Sequence, residues 1–152
     1  MTVLNETTLS GIKTLLYLAV RPSDEPVPPR QIAEDLDLSP TYSAKITARL
    51  VRAGILRAHR GAKGGVSLGR ATANITLLEV VEACQGKVLG HYCQETRTQR
   101  HVCAFHRAMH ELHNAITDVL EHWTIAHLQS HPNPSRVILG QVECRMAGVA
   151  VD

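Results

Sequence analysis

Residues 39–70 read SPTYSAKITARLVRAGILRAHRGAKGGVSLGR, and their period changes partway along. Up to Gly54 the apolar positions Ile46, Leu50 and Val51, with the small Ala44 and Ala48, recur at helical spacing. Ser39 suits an N-cap, Pro40 the first helical position and Gly54 a helix stop. From Ile55 onward apolar and polar residues alternate. That pattern predicts a hairpin, Ile55–His59 and Val66–Leu68, around a glycine-rich turn at Gly61–Gly65. The tip holds Arg57, His59, Arg60 and Lys63 and no acid.

Upstream, the segment RPSDEPVPPR (21–30) carries four prolines and ends an amphipathic helix over 9–20, whose inner face is Leu9, Ile12, Leu15, Leu16 and Ala19. Pro29 then opens a short helix, RQIAEDLDL, with Ile32, Ala33 and Leu36 as its apolar positions. Two short helices with a tight connection, the second basic and small-polar, fit a helix-turn-helix, although any small bundle could hold such a pair. The basic hairpin that follows directly makes it a winged helix-turn-helix. Glycines let a wing backbone approach a narrow groove, and its cations offset phosphate charge; a solvated hairpin is the alternative. The expected DNA contacts are Thr41, Tyr42, Ser43 and Lys45 in the major groove. Arg49 and Arg52, with Arg30 and Gln31, are expected on phosphates, and Arg60 and Lys63 in the minor groove.

Downstream, NITLLEVVEACQG (74–86) predicts a helix with Leu77, Leu78, Val81 and Cys84 turned inward. The stretch HYCQETRTQRHVCAFHRAMHELH (91–113) joins Cys93 and Cys103 to a run of histidines. From about residue 102, Phe105, Met109, Leu112, Ile116, Val119, Trp123 and Ala126 form an a/d seam of alternating 4 and 3 spacing. One long helix with such a stripe predicts a homodimer, the helix crossing the two-fold axis. A core helix within one chain is the other option. After Pro132 and Pro134 an apolar tail could add a strand or pack on the body. The expected organisation is a winged helix-turn-helix DNA-binding domain (1–72), a connecting helix and Cys/His sensor loop (73–100), a dimerisation helix (101–131) and a tail (132–152). The fold class is mainly α with a small β-hairpin wing.

Composition sets the outer bounds. A net charge of +2 does not announce nucleic-acid binding, so any basic patch must be local. Aromatics make up 3% of residues, which requires an aliphatic core. No stretch approaches the roughly 20 apolar residues of a membrane span and no export signal opens the chain, so a cytoplasmic protein with no membrane partner is expected. There the cysteines Cys84, Cys93, Cys103 and Cys144 are thiols or ligands rather than structural disulfides. No nucleophile–base pair, phosphate loop or acid pair points to an enzyme. His106 and His110 have metalloprotease spacing but lack the glutamate beside the first histidine.

Taken in order, the elements resemble the Rrf2 family of bacterial winged-helix transcription regulators, which includes IscR, NsrR and CymR relatives. The resemblance covers about residues 9–128. Its most specific pieces are LLYLA (15–19), RGAKGGVSLGR (60–70), ITLLEVVEA (75–83) and HWTIAHL (122–128). It implies a homodimer on promoter DNA at a pseudo-palindromic site. In many members it also implies an iron–sulfur cluster near the dimer interface that senses redox state, iron or nitric oxide. Cluster-binding members carry three closely spaced cysteines before the long helix. Here Cys93 and Cys103 match the first and last, the middle one is absent, and His106 matches the histidine ligand of IscR-like members. The carboxylate that other members supply from the partner's first helix corresponds to about Leu9, which cannot ligate; Glu6 is the only carboxylate nearby. The resemblance therefore implies Cys93, Cys103 and His106 as ligands of a cluster, of the [2Fe-2S] type. The fourth ligand is open among Cys84, His91, His101, His110 and a group of the other subunit. Zinc could use the same donors. Without any cofactor, the chain would be a winged-helix regulator controlled by a protein partner or by thiol redox state. A protein-interaction module with weak DNA binding is the rival of another class. Cys84 also suits a core position, and His110, His113, His122, His127 and His131 suit an interface or the surface.

Overall fold

The computed structural model describes residues 3–88, 102–135 and 144–146. Helix α1 (Glu6–Ala19) starts three residues before the sequence pattern suggested, because the Asn5 side chain accepts from the Thr8 amide and caps it. Helices α2 (Pro29–Asp35) and α3 (Pro40–Arg52) follow. Between them Asp37 takes a left-handed conformation, φ 53°, and the Leu38 amide donates back to the Ala33 carbonyl. That is a Schellman closure, and it makes the turn tight. The same device ends α3, where Gly54 sits at φ 72° and the Ile55 amide reaches the Leu50 carbonyl at 3.0 Å.

The hairpin forms as expected. Strand β1 (Leu56–His59) pairs antiparallel with β2 (Gly65–Leu68), Leu56 opposite Leu68. The proline-rich segment is not a free linker. Val27 and Val66 exchange both backbone hydrogen bonds at 2.9 Å, so β2 is flanked on its other edge as well. A Cβ on Gly65 would lie 2.4 Å from the Val27 carbonyl carbon, so only glycine permits this approach.

After a 3-10 turn at Thr72–Asn74, Thr76 and Glu79 form a capping box that opens α4 (Leu77–Gln85). Burial alone would raise the Glu79 carboxyl. The Thr76 amide and the Arg70 guanidinium outweigh it and hold the carboxyl below its usual value. The core lies between α1, α3, α4 and the base of the wing. Leu15, Ile32, Ile46, Leu50, Ile55 and Val80 are at 0% exposure within it. It is aliphatic, as the composition demands.

Helix α5 (Ala104–His122) is shorter than the expected helix. The chain leaves helical geometry at Trp123 (ψ 130°) and restarts as α6 (Ile125–Gln129). The reason is a backbone competition that helical periodicity does not register. The Leu77 amide takes the Trp123 carbonyl at 2.8 Å, and the Ile125 amide takes the Ile75 carbonyl at 2.9 Å. Ile125 is thereby wholly buried, and Gln129 caps α1 by donating to the Ala19 carbonyl. Ala126 belongs to this second helix and not to a continuous seam. In the tail, Met146 packs against the core and Arg145 pairs with Glu6. Of the two expectations for the tail, the described residues show packing on the body.

Candidate DNA interface and metal-ligand segment

Helix α3 presents Thr41, Ala44, Lys45, Ala48 and Arg52 to solvent on the face opposite Ile46 and Leu50. Thr41 and Lys45 thus stand where a recognition helix reads a groove. Tyr42 is half-buried, with its hydroxyl 3.3 Å from the Thr7 hydroxyl on α1. Two of the expected contacts have partners within the chain. Ser43 is wholly buried and its hydroxyl donates to the Pro29 carbonyl at 2.9 Å, which locks α3 onto α2. Arg49 is half-buried and donates from its guanidinium to the Cys84 carbonyl, which ties α3 to the end of α4. Both residues are of DNA-contact type; only their position on the inner half of the helix wheel could have told them apart. Arg30 and Gln31 are exposed on α2, with Arg30 in an i,i+4 pair with Glu34.

On the wing Arg57, Arg60 and Lys63 are exposed, and among the described residues none of them is in an ion pair. Lys45 and Arg52 are likewise unpaired there. Their charge is uncompensated, as a polyanion-binding face requires. His59 reaches across the hairpin to the Ser67 hydroxyl at 2.8 Å, which braces the strands.

Cys103 is the N-cap of α5, exposed, and its side chain makes no capping hydrogen bond. Its sulfur is therefore not engaged by its own helix. His106 follows on the first turn and is 8% exposed. The pair shares one side of the helix, which suits two soft-to-borderline donors on one metal. Cys93, His91 and His101 lie outside the described residues. Among the described residues no group of three or more His, Cys, Asp or Glu could hold a metal ion. Cys84 is removed from the ligand candidates. It is 1% exposed against Gly11, and burial pushes its thiol up to about 11 although Arg49 acts in the opposite direction. His110 faces Asn114 at 3.2 Å, and Glu6 is taken up by Arg145.

The apolar seam of α5 is divided: Ile116 packs against the body beside Leu120, while its other edge stays open. Leu120 and His106 are buried, with Val81 and Val88 against Leu120, and His113 is half-buried. One residue earlier in each heptad, Phe105, Leu112 and Val119 are 62%, 37% and 57% exposed, and Trp123 continues the stripe at 45%. Contiguous exposed apolar surface of this kind marks an association site.

The sequence model of one family, Rrf2, described as "Iron-dependent Transcriptional regulator", matches residues 4–131. Among curated relatives, the HTH-type transcriptional regulator NsrR of Halalkalibacterium halodurans is 28% identical over 133 residues, covering 85% of this chain and 91% of that one. The HTH-type transcriptional repressor NsrR of Streptomyces coelicolor is 29% identical, covering 86% and 89%. Among solved structures, CymR, the global cysteine regulator of B. subtilis, superposes with a TM-score of 0.70 at 23% identity, over 88% of this chain and all of that one.

Proposed function

The chain belongs to the Rrf2 family of winged-helix transcriptional regulators, and is a regulator and not an enzyme; from that premise we propose that it works as a cytoplasmic homodimer on a pseudo-palindromic promoter site, under the control of an iron–sulfur cluster. Thr41 and Lys45 read the major groove, with Tyr42 positioned behind them. Arg30, Gln31 and Arg52 meet phosphates, and Arg60 and Lys63 enter the minor groove from the wing. Repression is the mode we assign, as the name of the S. coelicolor relative implies for that protein. The exposed stripe Phe105, Leu112, Val119 and Trp123 meets its counterpart in a second copy.

The observation that carries the sensing step is the pair at the start of α5, an exposed uncapped Cys103 with a buried His106 one turn on. Cys93, Cys103 and His106 are the proposed ligands, of a [2Fe-2S] type. A bound cluster supplies a charge and a bonding state that change with redox potential, iron supply or nitric oxide. The residues act mechanically. Cys103 and His106 sit at the root of the helix that bears the dimer stripe, so a change in what they hold alters the spacing of the two α3 helices. Anaerobic purification with iron and sulfide analysis tests this. Wild type is expected to be coloured and Cys103→Ala colourless; an iron-free wild type with full promoter affinity overturns the cluster.

A second reading is favoured by the same exposed Cys103 and the half-buried Cys144. There the chain carries no cofactor and thiol oxidation or a protein partner regulates it. Zinc on the same ligands gives a colourless, metal-loaded protein and is told apart by metal analysis.

A further inference from the structure

A cleft of about 340 Å3 opens between the end of α1, the segment after it and the foot of the wing. That volume is within the range of small-molecule sites, roughly 300–1,000 Å3. Leu18, Arg21, Asp24, Glu25, Ser67 and Arg70 line it. None of them takes part in the proposed DNA contacts or in the Cys/His segment. Two guanidiniums from distant parts of the chain meet here, each pinned at one end. Arg21 donates through Nη1 to the Tyr17 hydroxyl at 2.9 Å and lies 5.5 Å from the Tyr17 ring centre. Tyr17 in turn donates to Asp35. Arg70 donates through Nη2 to Glu79 at 2.8 Å. Yet Nε of both arginines is buried and has no acceptor among the described residues. Both guanidiniums line the cleft, and each has five N–H donors, of which its partner within the chain takes one.

The cleft also holds the opposite charge. Asp24 and Glu25 are exposed, and neither is in an ion pair among the described residues. A plain anion would sit beside two carboxylates, and a plain cation beside two guanidiniums. Only a ligand of both signs satisfies the whole lining. We propose that this cleft binds a small zwitterion of the α-amino acid class. Its carboxylate sits on Arg21 and Arg70, its ammonium on Asp24 or Glu25, and its side chain against Leu18. Guanidinium forks suit a planar carboxylate. The occupant joins α1 to β2 through Ser67 and to the residues just after β2 through Arg70, so it fixes the wing against the body and tunes DNA affinity. This holds whether or not a cluster binds at α5.

The test is calorimetric titration of the full chain with a panel of free L-amino acids, each compared with its N-acetyl derivative and its amide, and with acetate and inorganic phosphate. At least one free amino acid is expected to bind saturably. Removing either of its charges is expected to weaken binding about tenfold or more. Asp24→Asn changes an exposed residue with no ion pair among the described residues and leaves the fold intact; it is expected to weaken the same amino acid about tenfold, as is Arg70→Lys. Binding of acetate or phosphate as tight as the amino acid and indifferent to Asp24→Asn overturns the proposal in favour of a simple anion site. Amino acid binding unmoved by either variant, or no binding by any member of the panel, also overturns it.

Discussion

Ile46 on α3 and Val119 on α5 hold similar places in helices patterned alike, yet Ile46 is at 0% exposure and Val119 at 57%. In the winged body every apolar helix face finds a partner within the same chain. On α5 the body takes the adjacent stripe through Leu120 and leaves Phe105, Leu112 and Val119 outside. The two regions obey one rule, that an apolar stripe must be covered. They differ in where the cover comes from. A stripe answered within the chain supports the fold, and a stripe left open supports assembly.

The contrast can be broken by substitution. Ile46→Ala empties a fully buried site at the centre of the core and is expected to cost about 2–5 kcal/mol in denaturant unfolding. A loss well under that range would mean the core re-closes and is less defined than its burial implies. On α5 the double change Leu112→Glu and Val119→Glu is expected to leave far-UV circular dichroism unchanged and to give a monomer by light scattering. Promoter affinity in a gel shift should fall about 100-fold, because one half-site no longer recruits the other. A dimer that survives both charges would show that the stripe is not the interface. Thr76→Ala removes one half of the capping box and should cost about 1 kcal/mol.

Thiol chemistry gives the smallest effect and the sharpest contrast. Native protein treated with iodoacetamide near neutral pH is expected to be modified at Cys103 and spared at Cys84 until it unfolds. The Cys84 thiol is raised from 9.0 to about 11 in the folded chain. A raised acid binds its proton more tightly when folded. The stability this contributes is therefore present below pH 9 and lost as pH rises towards 11, with a fall in unfolding midpoint over that window.

Much of the body was legible because its signals are local. Pro40, Ser39 and Gly54 bracket α3 by known backbone preferences, and alternation around a glycine-rich turn names the wing. The Asn5 cap and the Thr76/Glu79 box are local too, but each concerns one terminus and leaves no periodic trace. What the sequence did not disclose is long-range. The break at Trp123 exists because residues 75–77 offer backbone partners to residues 123–125, a pairing with no periodic trace. Ser43 and Arg49 have the chemistry of DNA contacts, and only the packing of α2 and α4 turns them inward. At the Cys/His segment the residue types were readable, but the partners of Cys103 and His106 depend on how distant stretches meet. The cleft of Arg21 and Arg70 was invisible for the same reason, its lining being drawn from residues some fifty positions apart.

The Arg49 contact has one further consequence. A cation on a DNA-reading helix adds, as a rule, to the counterions released on binding. Here it is anchored to the Cys84 carbonyl at the end of α4, the helix that leads in sequence toward Cys93. Helices α3 and α4 thus share a joint. A change at the end of α4 is then expected to alter DNA affinity, and operator DNA to alter, by the same factor, the affinity for whatever made the change.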